Sequence, residues 1–377
     1  MPTTRPRPHP LPSSHPAPRS LPSPLSRLRP LPRLLAAVGC ALPALLAPST
    51  APAQSAALLR GGERVFIAEA DGETLDVDLR TGRCRPLDPE KLGMPLVFRP
   101  AAVSSSGLVI GTAGLAVYAC DLKSRKSVRL YEAPTTASIE AVTCNPKDGA
   151  VLVQLETVSE DYVGGGPADR QPATLICIPP DSAQAGPVFS RRVSSFQGLA
   201  FGQDGRLYFG TEGDLWAGTI DRDDPPEEGE PQRYILTAER IAAVATRETY
   251  LGTPVQMGVV EVAVDRTHLY FRLNRMGGSG WGELGRMKLL PDETRNEAGS
   301  GEADRSEMTR FARRMVGWLS SLESLGSCAT HAFLCASPDG RHALYLLRED
   351  GGTLSEGTLV LYEDGKRKRR IRLAPGS

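Results

Sequence analysis

Three groups of side chains in this 377-residue sequence have types and spacings that could do chemistry. Cys328-x-x-His331-x-x-x-Cys335 has the soft-ligand spacing of half a zinc site. A closed structural site takes four such ligands, and no second cluster is spaced to complete it, so a packed strand is the simpler account. Glu140 and Glu261 each stand at the start of an apolar alternating run. Brought together, two such carboxylates could ligate Ca²⁺ or serve as general acid and base; the plainer reading is a pair of solvated carboxylates. The acidic run at 221–230 (DRDDPPEEGE) could likewise hold Ca²⁺ loosely, or be a solvated loop. Beyond residue 53 the histidines are His268, His331 and His342, and no Ser/His/Asp arrangement or nucleotide fingerprint accompanies them. The glycines at 277, 278, 280 and 282 lack the strand-then-helix context of a phosphate loop.

The elements that must position these groups are short strands. FQGLAFGQDGRLYFGTEGDLWAGTID (196–221) reads as three strands joined by Asp204-Gly205 and Glu212-Gly213 turns. Acidic-Gly pairs between alternating apolar runs mark hairpins, because glycine takes the positive-φ position of a tight turn without a Cβ clash. Degenerate copies of the module recur at 63–87, 99–131, 139–178, 259–290 and 332–373. Val, Ile, Leu, Tyr and Thr at period two argue strand against helix. Repeated four-stranded meanders at this spacing predict an all-β fold, a β-propeller of six blades, with seven as the alternative count.

The segment CASPDGRHALYLL (335–347) resembles the Ser-Pro-Asp-Gly repeat of Tol-type and prolyl-oligopeptidase-type propellers. AFGQDGRLYFGT (200–211) is similar to repeats of the gluconolactonase and regucalcin-like propellers. The resemblance covers about a dozen residues per blade and implies architecture only. Regucalcin-like propellers hold a divalent ion with carboxylate and asparagine oxygens. Here Asn145 falls beside a tight turn, and only Asn274 and Asn296 remain after it, so that ligand set is not carried over. No cofactor is assigned; a divalent cation such as Ca²⁺ is the one considered.

In a propeller of this register, the innermost strands enter the channel mouth near Arg99, Glu140, Gln197, Glu261 and His331. With strands lettered A to D, the A–B turns are all tight, and the long insertions are expected on the opposite face, with the B–C and D–A connections. Function sits on variable loops held by a rigid scaffold, so that face is the expected site. Residues 237–258 read as a long connection between blades four and five, and 291–328 as another between the last two blades. In the second, Met308, Phe311, Met315, Trp318, Leu322 and Leu325 recur at i, i+3, i+7. That period predicts an amphipathic helical insertion, packed on the blades or presenting Phe311, Met315 and Trp318 to a partner.

Residues 1–33 carry eleven prolines, six arginines and no acidic residue, which excludes a packed domain there. The apolar run 34–48 (LLAAVGCALPALLAP) followed by Ala51-Pro-Ala53 reads as a signal peptide over 1–53, leaving a propeller domain over 54–377. Lipid attachment at Cys40 is the alternative. Export to a periplasmic or extracellular location follows as an expectation. Loss of six arginines would leave 38 basic against 44 acidic residues, a charge of −6, which argues against nucleic acid as partner. After cleavage no apolar run would be long enough to span a membrane. The basic run KRKRRIR (366–372) is read as a charged edge strand that blocks pairing with other chains, with an acidic polymer or lipid headgroup as the alternative. Six cysteines beyond residue 53 lie mostly in apolar strand runs and read as buried small hydrophobes rather than disulfides. The function expected is a monomeric binding module for a protein or saccharide. The alternative is a metal-dependent hydrolase or lyase of lactonase type.

Overall fold

The computed structural model describes residues 55–68, 73–157, 174–180, 185–193, 195–223, 232–244, 246–250, 253–275, 282–289, 322–328, 334–347 and 357–375. These residues are almost entirely strand. The first meander is β1 (Ser55–Leu58), β2 (Arg64–Ala68), β3 (Thr74–Asp78) and β4 (Arg83–Pro86). The second is β5 (Arg99–Val103), β6 (Val109–Ala113), β7 (Ala116–Asp121) and β8 (Lys126–Glu132). The third is β9 (Ala137–Cys144), β10 (Val151–Thr157), β11 (Thr174–Ile178) and β12 (Gly186–Ser190). The fourth is β13 (Gln197–Phe201), β14 (Leu207–Thr211), β15 (Asp214–Arg222) and β16 (Tyr234–Ala242). Strand β17 (Thr246–Tyr250) precedes the fifth, β18 (Thr253–Val264), β19 (His268–Arg275), β20 (Gly282–Lys288) and β21 (Glu323–Cys328). The sixth is β22 (Leu334–Ala336), β23 (His342–Leu347), β24 (Thr358–Glu363) and β25 (Lys366–Arg372). A last strand, β26 (Ala374–Pro375), crosses to pair in parallel with β4.

Within each meander consecutive strands pair antiparallel, and β12 and β16 pair in parallel, joining the third and fourth meanders into one sheet of eight strands. The sheets face one another rather than water. Val65, Ile67 and Val77 meet Leu344, Leu359 and Ile371 between the first and sixth meanders. The other pairs in succession, one with two, two with three, three with four, four with five and five with six, each enclose an apolar layer of the same kind. Second strands are therefore covered on both sides, and Phe66, Phe209 and Phe271 are fully buried. Burying one such ring contributes up to about 3 kcal/mol. The first strands lie side by side in the cyclic order β1, β5, β9, β13, β18, β22 and back to β1. This arrangement is propeller-like.

The tight A–B turns occur where expected, with Gly107, Gly149, Gly205 and Gly340 all at positive φ. Four assignments are corrected. The first meander begins with β1, ahead of residue 63, and the third gains a fourth strand, β12, beyond residue 178. Residues 237–258 are not a loop: β16, β17 and β18 occupy most of them. Residues 323–328, expected within the helical insertion, instead pair with β20 as the fourth strand of the fifth meander. The insertion 291–322 therefore interrupts that meander between its third and fourth strands. Its anchor sits at the A–B end, where the Leu289 amide donates to the Thr267 carbonyl. Met308, Phe311, Met315 and Trp318 lie outside the described residues.

Period-two alternation in THLYFRL (267–273) would put His268, Tyr270 and Arg272 on a polar face opposite Leu269, Phe271 and Leu273. Tyr270 and Arg272 are buried, at 1% and 8% exposure, because the sixth meander covers that face. Cys84, Cys120, Cys144, Cys177 and Cys335 are buried and unpaired, as expected of small hydrophobes.

Candidate functional site

The first strands carry a bulge each in four of the meanders. Ala101, Glu140, Gly198 and Val260 are skipped by the cross-strand register. A bulge bends its strand and re-aims the side chains beyond it. Counting pairs away from the A–B turn, Arg99 faces Thr112, Gln197 faces Gly210 and Glu261 faces Arg272, each as the fourth pair. Ala141 holds that level in the third meander, and Glu140 sits one step on, in its bulge. Three of the expected mouth residues thus share one level, and Glu140 adjoins it. His331 lies outside the described residues.

Gly198 explains the closeness of two of them. Its φ is +57°, and a Cβ there would come within 2.6 Å of the Glu261 Cα. Only glycine lets β13 press against β18 at this point. Glu261 accepts a hydrogen bond from Arg272 Nε at 2.9 Å, with the two side chains 16% and 10% exposed. Burial raises the Glu261 carboxyl above its usual range, and Arg272 pulls the other way. The Gln197 Oε1 is buried without a hydrogen-bond partner. Glu140 is held differently, accepting from Ser138 Oγ at 2.8 Å. Its strand is separated from that of Glu261 by β13, so the two carboxylates are not direct neighbours. Among the described residues no group of three or more His, Cys, Asp or Glu is placed to hold a metal ion.

Toward the A–B end the six first strands enclose a cavity of about 90 Å³, lined by small residues such as Ala57, Ala102, Ala200, Ala263 and Cys335. That is room for several waters. Gln203 Nε2 donates to the Pro338 carbonyl at 3.2 Å, tying the fourth meander to the sixth at this end. The turn beside it holds Asp265, fully buried, which accepts from the backbone amides of Thr267 and His268 and from the Thr267 and Tyr270 hydroxyls at 2.7–2.9 Å. With four donors it is a satisfied structural carboxylate.

At the opposite end, the connection from β4 to β5 carries features that sequence reasoning missed. Leu96 and Val97 are 75% and 66% exposed, and Val97 has φ +57°. A β-branched residue in the left-handed region is a genuine outlier. Phe98, next in line, is buried and anchors the loop, its carbonyl accepting from Thr74 Oγ1 at 2.9 Å. The register of β5 with β6 places this loop at the same end as the Gly114-Leu115 turn, where Leu115 is 36% exposed. Arg272 was also missed as the partner of Glu261. Its place opposite Glu261 needed the bulge at Val260, which has no signature in the sequence.

No family model matches the chain, and no curated protein matches it. Among solved structures it is similar to a candidate gluconolactonase, at 13% identity over 84% of this chain and 90% of the other, with a TM-score of 0.46. A candidate TolB from Agrobacterium tumefaciens shares 11% identity over 76% and 86%, with a TM-score of 0.45. The Cps50 (Swd1) β-propeller domain from Myceliophteria thermophila shares 14% over 85% of each chain, with a TM-score of 0.39.

Proposed function

We propose that this chain is an exported, six-bladed β-propeller that binds a protein partner at the end carrying the B–C and D–A connections. Six apolar layers in cyclic succession support the blade count, and the character of residues 1–53 supports export. The observation that carries the binding role is Leu96-Val97, an exposed aliphatic pair held in strained backbone by a buried anchor. Strain of this kind persists where the surroundings over-determine it, and it clusters at ligand clamps. Exposed aliphatic side chains at Leu96-Val97 suit the apolar contacts of a protein partner better than a neutral saccharide. The channel-level residues Arg99, Glu140, Gln197 and Glu261 would form the polar floor beneath that rim. The test is a photo-crosslinking residue at Leu96, compared with one at Val128, 63% exposed on the outer strand β8, in producing cells. Discrete adducts from position 96 alone are expected; equal yields from both positions, or none, would sink the reading.

The enzyme alternative rests on one observation, the buried Glu261 carboxyl with its raised affinity for a proton beside an unpartnered Gln197 oxygen. Such a group can act as a general acid. Thermal unfolding with EDTA and then with Ca²⁺, Mg²⁺, Mn²⁺ or Zn²⁺ tests its metal-dependent form. Saturating ion should add about 2.7 kcal/mol at 100 times its Kd, and Glu261→Gln should abolish the gain. No shift with any ion would remove it.

A further inference from the structure

The outer edge formed by β25 and β4 is a row of cations assembled from both ends of the described fold, most of them without an ion-pair partner. Strand β25 exposes Lys366, Arg367, Lys368, Arg370 and Arg372, while Ile371 and Leu373 are buried between them. Beyond Arg372 the chain crosses to the first meander, where Ala374 pairs with Arg83 in β4. The Ala374 amide donates to the Gly82 carbonyl at 3.0 Å, and a Cβ on Gly82 would meet the Arg372 carbonyl at 2.3 Å. Arg83 and Arg85 are exposed on either side of buried Cys84. Residues two apart on a strand share a face, spaced about 6.6 Å. The alternation of exposed and buried residues therefore runs Arg370, Arg372 and Ala374, and at Ala374 the register brings in Arg83, followed by Arg85.

Ion pairing leaves most of this row uncompensated. Lys368 and Arg341 both go to Glu363, and Arg80 lies 3.9 Å from Asp78. Among the described residues no carboxylate is within ion-pair distance of Arg83, Arg85, Lys366, Arg367, Arg370 or Arg372. Blocking of edge pairing explains only part of this. Strand β4 is not a free edge, because β26 covers it. Strand β21, also an edge, carries a single charge, Glu323, and no Lys or Arg. Crowding six like charges costs stability, a cost that a bound polyanion would offset.

We propose that this edge is a docking surface for a linear acidic polysaccharide, its carboxylate or sulfate groups taken by the arginine forks. Neither basic segment exposes a large apolar or aromatic side chain; the exposed large hydrophobics all lie elsewhere. A membrane surface would use apolar insertion, and a single-stranded nucleic acid would use stacking rings, so both fit less well. An edge of about ten residues at 3.3 Å each spans about 33 Å, a length suited to several sugars in a row.

The test measures binding of residues 54–377 to alginate oligomers and dextran sulfate, with neutral dextran, anionic phosphatidylglycerol vesicles and duplex DNA as comparators. Saturable binding to the acidic oligomers is expected, weakening as salt rises from about 50 to 200 mM. Arg83→Gln, Arg85→Gln, Arg370→Gln and Arg372→Gln together should lower affinity at least tenfold. A charge-matched control, Arg60→Gln, Lys123→Gln, Lys126→Gln and Arg129→Gln, should leave it within twofold. The corresponding four Arg→Lys changes, which keep the charge and the fold, should fall between. Absence of wild-type binding overturns the proposal, as do equal losses in both Gln variants. Tighter binding to vesicles or DNA than to alginate also overturns it, in favour of those partners. Self-association of the first Gln variant without wild-type polyanion affinity would reduce the edge to pairing control.

Discussion

At the scale of single residues, buried thiols and one strained valine make the sharpest statements. Burial pushes the Cys120, Cys144 and Cys177 thiols from 9.0 up to about 12. A group that holds its proton more tightly when folded supports the fold below its unfolded value and loses that support as pH rises through the folded one. Stability should therefore fall between about pH 9 and 12, and Cys144→Ala should make that fall shallower in urea titrations. At pH 8 iodoacetamide should leave the five buried thiols unlabelled in the native protein, as mass spectrometry would show. Val97→Gly should release backbone strain worth about 1 kcal/mol or more, raising the thermal midpoint by about 2–4 °C. The same change should reduce crosslinking at the Leu96 rim. A variant more stable yet poorer at its task is the behaviour of a residue kept for binding.

At the scale of elements, the bulges decide where side chains go. Arg99, Gln197 and Glu261 were legible as first-strand residues because each adjoins a run of alternating apolar pattern. Their common level was not, since it depends on where each strand skips a partner. Gly198→Ala should be costly for this reason: its Cβ meets the Glu261 backbone, which has no flexible atom to yield, and its φ is wrong for alanine. A loss of about 1–3 kcal/mol is expected from the backbone conformation alone, read as a lower urea midpoint with unchanged m. The β21 strand shows the opposite failure. ESLGSC has weak period-two patterning and follows a run with helical period, so the local signal pointed the wrong way. Pairing with β20 overrode it, as tertiary context does where propensity is slight.

At the scale of the whole molecule, each sheet is stabilised only by its two neighbours. Because the layer between the first and sixth meanders joins the ends of the described chain, no sheet is terminal. Unlike an open repeat array, such a ring has no free end from which to fray. Trp216 fluorescence and far-ultraviolet circular dichroism should therefore report one coincident urea transition. Separate transitions would mean that the layers melt independently. With its pairings mostly between non-adjacent segments joined around a ring, refolding should be slow relative to helical proteins of this size.

The alternating runs, the acidic-Gly turns and their repetition determined by themselves that this is an all-β repeat protein, because strand period and turn chemistry are local properties. They also determined that Cys120, Cys144 and Cys177 are core residues, since VYAC, AVTC and LICI are apolar on the face that must be buried. What only the tertiary structure decided is set by contacts across long separations. The pairing of β26 with β4 turned two distant basic segments into one edge. The covering of β19 on both sides turned a polar face into a buried one holding Tyr270 and Arg272. The fourth strand of the fifth meander places the described residues that flank 290–321 between β20 and β21 rather than between two meanders. Each follows from which sheet faces which, and burial between sheets is a property of the assembled ring rather than of any segment in it.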